Sequence, residues 1–213
     1  MKRSRVLITV LTALMLFSIT GCSKSKVGDI EVDAGESAIY IDAEGAVSYA
    51  ICESFDKEYY DKGDLKDIIK KEIDEFNAGP SSSETDSAKL ASFKNKDKKI
   101  TAIIDFKTIN DFVGYAKEYN GEGDNEIFIG KISDAVDEKI KIAGNFTEVK
   151  DGLVTDKTIK GAEVKKLESN IIVLKEQMIV QMESNIKYIS ENCTIKDGIV
   201  TITDDETAYI VYE

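Results

Sequence analysis

The stretch SAIYIDAEGAVSYAI, residues 37–51, decides the fold class. Two runs rich in β-forming residues flank Asp42-Ala-Glu-Gly45, and Gly45 suits the positive φ of a hairpin turn. A helical pattern follows, with Asp64 as its N-cap and Gly79-Pro80 as its end. One apolar face of that helix contains Leu65, Ile68, Ile69, Ile73 and Phe76. The order of elements predicted here is strand, strand, helix.

The same order is predicted again in the next forty residues. Strands over 89–93 and 99–106 flank the turn signal Asn95-Lys-Asp97. A second helix begins after Thr108, with Asp111 three residues later as an approximate capping box. We therefore predict two strand–strand–helix units within a region spanning 37–120, with both helices on one face of a sheet.

The region 121–213 is predicted to be β-rich and antiparallel, either as a separate domain or as one domain with the preceding region. Its strands are too closely spaced for the crossovers that parallel pairing requires. We expect the strand at 170–174 to pair with 178–182 across Lys175-Glu-Gln, and Lys196-Asp197-Gly198 to turn a short hairpin. Lys139–Ala143 is a further predicted strand, and Val164–Ser169 is either a short helix or a connector. The predicted fold class is α+β.

The N-terminus has the sequence pattern of a secretion signal. Three basic residues precede a 14-residue apolar run from Val6 to Ile19, which is shorter than the roughly 20 residues of a membrane-spanning helix. Ile19-Thr20-Gly21-Cys22 follows and resembles the lipobox of bacterial lipoproteins. The resemblance implies a signal peptide over 1–21, acylation of the Cys22 thiol, and a lipid-bearing tether over 22–36 on the outer side of the cell membrane. An ordinary secretory signal with an incidental cysteine is the alternative.

Four other segments extend this resemblance over most of the chain. They resemble segments of a group of small uncharacterised lipoproteins of low-GC Gram-positive gut bacteria. This resemblance implies no activity for the chain, and Cys22 is the one functional residue that it implies. The segments are Ile39-Tyr-Ile, the stretch from Glu53-Ser-Phe-Asp56 to Tyr59-Tyr60, the helix Asp64–Phe76, and Ala208-Tyr-Ile-Val-Tyr-Glu213.

Charge and composition exclude several function classes. The formal net charge is −12, and removal of residues 1–21 with their three basic residues makes it −15, which opposes nucleic-acid binding. The chain contains no histidine, so Ser-His-Asp triads, Cys-His pairs and imidazole metal sites are excluded. No cofactor is predicted.

Two cysteines follow Cys22, and they allow one disulfide. Cys52 and Cys193 are either bridged, as an oxidising exterior permits, or two separate buried thiols. A nucleophilic cysteine without any histidine is the third and least favoured interpretation.

Acidic residues supply the weak candidates for a metal site or for acid/base chemistry. Asp124 lies in one acidic loop, and Asp204 and Asp205 lie in what we predict to be the last hairpin. Calcium prefers such oxygen ligands, but a solvated loop is the favoured interpretation of both clusters. Asp105 with Glu53 is an example of a carboxylate pair for hydrolysis. The aromatic pair Tyr59-Tyr60 either packs on the following helix or lines a pocket.

These observations predict a membrane-anchored, extracytoplasmic lipoprotein. We expect a non-enzymatic module whose partners are the membrane, through Cys22, and a protein, an envelope polymer or a small ligand. A carboxylate-based envelope hydrolase, with or without a metal, is the alternative.

Overall fold

The computed structural model describes residues 26–57, 61–119 and 127–213, which form fifteen strands and four helices. The elements up to residue 119 are β1 (Lys26–Val27), β2 (Ile30–Glu31), β3 (Glu36–Ile41), β4 (Val47–Ser54), α1 (Lys62–Ala78), β5 (Ala88–Lys96), β6 (Lys99–Phe106) and α2 (Ile109–Tyr119). The elements after residue 126 are β7 (Ile127–Lys131), α3 (Ile132–Asp137), β8 (Asn145–Lys150), β9 (Leu153–Lys160), α4 (Gly161–Val164), β10 (Asn170–Leu174), β11 (Ile179–Met182), β12 (Ile186–Ser190), β13 (Cys193–Lys196), β14 (Ile199–Ile202) and β15 (Ala208–Tyr212). The predicted α+β class is confirmed.

Most strands belong to two sheets. The seven-stranded sheet has the order β13-β14-β11-β3-β4-β6-β5, and the six-stranded sheet has the order β7-β10-β15-β12-β8-β9. Neighbouring strands are antiparallel except β11 and β3, which are parallel. The β10–β11 connection and the β14–β15 loop each pass from one sheet to the other.

Three apolar clusters fill the layers. The largest contains side chains from both sheets and from α1 and α2, so the main core lies between the sheets and is completed by these helices. A second cluster covers the other face of the six-stranded sheet and includes residues of α3 and the buried Val164 of α4. The third lies on the outer face of the seven-stranded sheet, beneath β1 and β2. Within the described parts of the chain, no helix is long and apolar enough to span a bilayer.

The predicted tether over 22–36 is shorter than the sequence indicated. From Lys26 onward the chain is folded, because Val27, Ile30 and Val32 are buried against the seven-stranded sheet. Their alternation with polar residues is too brief to be read as strands from the sequence.

Several predictions for the second half are wrong. The strands β10 and β11 do not pair, because they lie in different sheets. The strands β14 and β15 also lie in different sheets, so Asp204 and Asp205 between them do not lie in a hairpin. Lys139–Ala143 forms no strand; the helix α3 precedes it, and Ile142 is buried in the second cluster. The hairpin at Lys196-Asp197-Gly198 is confirmed by the antiparallel pairing of β13 with β14.

The helix starts are close to their predicted positions. The N-cap of α1 is Asp61 rather than Asp64; its carboxylate accepts hydrogen bonds from the backbone N–H groups of Gly63 (2.6 Å) and Asp64 (3.0 Å). At the start of α2, the Thr108 hydroxyl accepts a hydrogen bond from the backbone N–H of Asp111 (3.1 Å), as the capping pattern predicts.

Candidate functional site

The predicted anchor precedes the folded body closely. Cys22 lies outside the described residues, and Lys26, four positions later, opens β1. The strands β1 and β2 are antiparallel, so Lys26 at the start of β1 lies beside the end of β2. The chain continues from that end of β2 to Asp33, whose carboxylate lies 3.0 Å from the Lys99 ammonium. The chain thus enters at the end of the seven-stranded sheet where β4 ends and β6 begins, which we name the tether end.

The turn between β1 and β2 is fixed to the sheet by side-chain contacts. The backbone N–H of Asp29 donates to Gln181 Oε1 (2.8 Å), and Gln181 Nε2 donates to the Asp29 carboxylate (3.0 Å). Gly28 has φ +56°, and a Cβ there would lie 2.5 Å from Gln181 Oε1. Beside it the Tyr40 hydroxyl donates to Glu183, and this bond together with burial raises the pKa of Tyr40 to about 12. The turn is therefore held at a defined position.

Cys52 and Cys193 are free, buried thiols. They lie on strands four positions apart in the seven-stranded sheet, about 19 Å at the usual strand spacing, whereas a disulfide needs Cα atoms within about 7 Å. The Thr101 hydroxyl lies 3.4 Å from the Cys52 sulfur, and burial raises the pKa of the Cys193 thiol. Neither thiol has the exposure of a nucleophile, and the shift at Cys193 is in the direction opposite to activation.

The acidic candidates at the end of the chain have structural partners. Asp204 accepts hydrogen bonds from Asn192 Nδ2 and from the backbone N–H of Glu206, both at 3.0 Å. Asp205 accepts one from Gln177 Nε2 at 3.3 Å. Within the ranges that the structure describes, no group of three or more cysteine, aspartate or glutamate residues is arranged to hold a metal.

Three other predicted site residues lie outside the described residues. They are Asp124 of the first acidic loop and the aromatic pair Tyr59-Tyr60.

The example carboxylate pair Asp105 and Glu53 is not brought together. Asp105 lies opposite Ser48 on β4, and Glu53 is five residues further along that strand, about 17 Å away. Asp105 instead accepts a hydrogen bond from the Ser48 hydroxyl at 2.7 Å.

Glu176 is a perturbed carboxyl group that the sequence did not single out. It lies half-buried in the β10–β11 connection, where burial and the nearby Asp205 raise its pKa. The sequence indicated an exposed hairpin turn at this position, so it gave no signal for a buried acid.

A surface feature that combines polar and apolar groups lies on the outer face of the six-stranded sheet. Two adjoining open hollows, of about 460 Å³ and 380 Å³, share Leu167 and Ser169. The larger is lined by Glu148, Val149, Lys150, Lys157, Leu167, Ser169, Lys187, Tyr188 and Glu213. The smaller is lined by Lys131, Ser133, Leu167, Glu168, Ser169 and Asn170. We call the two together the double hollow.

The charges in the larger hollow are partly neutralised. Lys157 lies 3.6 Å from Glu148, and Lys187 lies 2.9 Å from Glu213. Among the described residues Lys150 has no ion pair, and it is exposed at the rim. The half-buried Tyr188 ring belongs to the second apolar cluster. The double hollow thus offers an unpaired ammonium group beside a ring.

Sequence reasoning missed the double hollow because its residues come from β7, β8, β9, β12 and the segment before β10. No short spacing of residue types marks it.

Comparison with protein-family models, with curated proteins and with solved structures finds no match to this chain.

Proposed function

We propose that this protein is a lipid-anchored module on the outer side of the cytoplasmic membrane, held through Cys22, that binds a partner and catalyses no reaction. The signal-like N-terminus and the Ile19–Cys22 motif support the anchor. The first described strand begins at Lys26, three residues after Ser23 and four after Cys22 in sequence, which suits a domain displayed close to a bilayer.

The binding role rests on one observation, the double hollow. Lys150 is unpaired there among the described residues, while Tyr188 and Leu167 supply apolar surface. This combination fits a ligand with a carboxylate or phosphate group next to an apolar or ring surface. A partner protein, an envelope polymer and a small ligand are sources that the binding test separates.

The anchor is tested by replacing the thiol. Cells producing the wild type or Cys22→Ser are labelled with a fatty-acid analogue and fractionated. We expect label and membrane retention in the wild type and in the matched control Cys193→Ser, and neither in Cys22→Ser. Equal labelling of both Cys22 forms would contradict the proposal.

The binding role is tested by a thermal-shift screen of the chain from Ser23 onward. Acidic peptides, polyglycerol phosphate and small phosphorylated sugars represent the three ligand sources. Loss of one charge-assisted contact in Lys150→Gln is expected to weaken binding about tenfold. Lys70→Gln, at an exposed position on α1, is the control and leaves binding unchanged. A ligand that binds Lys150→Gln as tightly as the wild type refutes the site.

The second candidate function is a carboxylate-based envelope hydrolase, and the raised pKa of Glu176 beside Asp205 favours it. A carboxyl group whose pKa is raised suits a general acid. Wild-type chain that releases fragments from purified cell-envelope polysaccharide, with loss of release in Glu176→Gln, would support it. Absence of release by the wild type would reject it.

We also propose that residues 36–78 and 88–119 are two copies of one strand–strand–helix unit. The antiparallel pairing of β4 with β6 supports this proposal. Val47 lies opposite Phe106 and Ser54 lies opposite Lys99, which is the register that a twofold axis passing through the sheet between these two strands would produce. An experimental structure tests this proposal, because superposition of the two units should place β3 on β5, β4 on β6 and α1 on α2. Helices on opposite faces of the sheet would refute it.

A further inference from the structure

The turn between β5 and β6 is strongly basic on an acidic chain. Residues 94–99, Lys-Asn-Lys-Asp-Lys-Lys, carry four positive charges and one negative, while the whole chain has a net charge of −12. Lys94, Lys96 and Lys98 are exposed. We call residues 94–99 the basic turn.

The basic turn lies at the tether end of the seven-stranded sheet. The end of β4 and the start of β6 meet there, since Ser54 is opposite Lys99, and the backbone N–H of Phe55 donates to the carbonyl of Lys98 at 2.6 Å. The chain arriving from Cys22 enters at this same end. The basic turn therefore lies at the end of the sheet where the described part of the chain begins.

Its lysines also share a face with the N-terminal strands. Lys94 is opposite Thr101, whose hydroxyl contacts Cys52 in the cluster beneath β1 and β2. Lys96 is opposite Lys99, two residues before Thr101 on the same strand, so both lie on that outer face.

Three of the four lysines of the basic turn form no ion pair among the described residues. Asp33 pairs with Lys99, but Lys94, Lys96 and Lys98 form no ion pair within the described residues. With Asp97 and Asp33 subtracted from the four lysines, two positive charges remain. Such a surplus on an anionic body marks a surface for an anionic partner.

The backbone supplies an independent observation. Asp97 and Lys98 both have positive φ, +52° and +60°. Two other hairpins use the same turn with glycine at the second position, in Asp151-Gly152 and Asp197-Gly198. A lysine in the left-handed region is strained relative to glycine. Lys98 thus places a charge at a position where local stability favours glycine.

We propose that the basic turn contacts the anionic phospholipid head groups of the bilayer in which the Cys22 lipid is embedded. This inference rests on the proposed anchor. Four Cα–Cα steps from Cys22 to Lys26 span at most about 14 Å, so the tether end cannot leave the head-group region. Each lysine near an anionic surface strengthens contact about fivefold, while the acidic remainder of the body is repelled. The body is thereby oriented with its tether end down.

Lysine footprinting tests the contact. A chain that begins at Cys22 is coupled to a maleimide lipid through the Cys22 thiol. Cys52 and Cys193 are buried and should not react with the maleimide. All contacts described above lie within residues 26–213, so this chain contains every residue that forms them. Acetylation rates are measured by mass spectrometry on vesicles of phosphatidylcholine with or without phosphatidylglycerol. The internal control is Lys196, exposed beside a similar turn at the opposite end of the same sheet.

We expect all four lysines of the basic turn, Lys99 included, to be acetylated at least fivefold more slowly on the phosphatidylglycerol vesicles, and Lys196 to be unaffected. Raised salt should remove the protection. Equal rates on the two vesicle types, or protection of Lys196 alone, would overturn the proposal. Because the lipid is attached chemically, the result does not depend on whether cells acylate Cys22, so this failure is distinct from failure of the anchor.

Two variants separate the charge from the fold. Lys98→Gly removes one charge and the strain, so it should melt at a higher temperature and yet lose about fivefold of the protection at Lys94 and Lys96. The variant with Lys94, Lys96 and Lys98 all changed to Gln should lose the protection of Lys99 completely. Unchanged protection in either variant would refute the contact.

Discussion

Replacing Asp111 with alanine should remove the acceptor that fixes the loop before β5 to α2. The Asp111 carboxylate is 1% exposed and accepts three hydrogen bonds, from the backbone N–H of Ser83 (2.8 Å), the Ser83 hydroxyl (3.0 Å) and the Thr108 hydroxyl (2.7 Å). In Asp111→Ala these three donors lose their partner together.

The magnitude follows from what each donor can do next. The Ser83 hydroxyl can turn toward Ser87 at 3.1 Å, and the Thr108 hydroxyl can rotate, so each loses about 0.5–1 kcal/mol. The backbone N–H of Ser83 cannot turn to another acceptor, and the loss of its hydrogen bond to a charged carboxylate costs about 1.5–3 kcal/mol. We expect Asp111→Ala to lower the free energy of unfolding by about 3 kcal/mol.

Urea denaturation followed by circular dichroism measures the effect. With an m value of about 2 kcal/mol/M, the midpoint should fall by about 1.5 M. Asp111→Asn is the matched control, because its amide oxygen can still accept from the Ser83 N–H, and it should lose only about 1 kcal/mol. A loss below 1 kcal/mol in the alanine variant, or equal losses in both, would refute the reasoning.

The pH dependence provides a second check. Burial opposes ionisation of Asp111, but the hydrogen bonds from Thr108 and Ser83 outweigh it and hold the pKa of the carboxyl below its usual range. The stability from the ionised group is therefore complete above the unfolded pKa of about 3.9 and is lost as the pH falls through the lowered folded value. The difference in the free energy of unfolding between the wild type and Asp111→Asn should be largest at neutral pH and should shrink below about pH 4.

Three further changes have defined outcomes. Gly28→Ala should lower the melting temperature, because its Cβ would collide with Gln181 and its φ is positive; Gly35→Ala, with nothing near its Cβ, separates strain from collision. Glu176→Gln should raise stability near pH 7, since the raised pKa means that ionisation opposes folding, and the gain should vanish at acid pH; a gain that persists there contradicts the assignment. Cys52 and Cys193 should resist a thiol reagent in buffer and react in urea, and reaction of either in buffer contradicts their burial.

Local chemistry is what made part of the fold predictable. Asp42 Oδ1 accepts a hydrogen bond from the backbone N–H of Ala46 (2.8 Å) and closes the β3–β4 turn, and Asp197-Gly198 supplies two positive φ values. Such signals lie within four residues of each other and act in any context. The capping contact between Thr108 and Asp111 belongs to the same kind.

The misread elements depend on distant partners. Ile171, Ile172 and Val173 of β10 are all buried, because apolar clusters cover both faces of the six-stranded sheet. Apolar and polar residues therefore do not alternate along β10, and its sequence does not indicate which strand pairs with it. The parallel pairing of β11 with β3 joins residues about 140 positions apart. The helix α3 has six residues, too few for a helical period.

One orientation satisfies both the proposed anchor and the proposed binding site. The strands β1 and β2 and the basic turn lie on the outer face of the seven-stranded sheet, and the double hollow lies on the outer face of the other sheet, with the main core between them. A bilayer held against the tether end therefore leaves the double hollow open to a partner from outside. Ligand affinity of the coupled chain should then be the same on vesicles and in detergent, and a loss of binding on vesicles would place the hollow against the membrane instead.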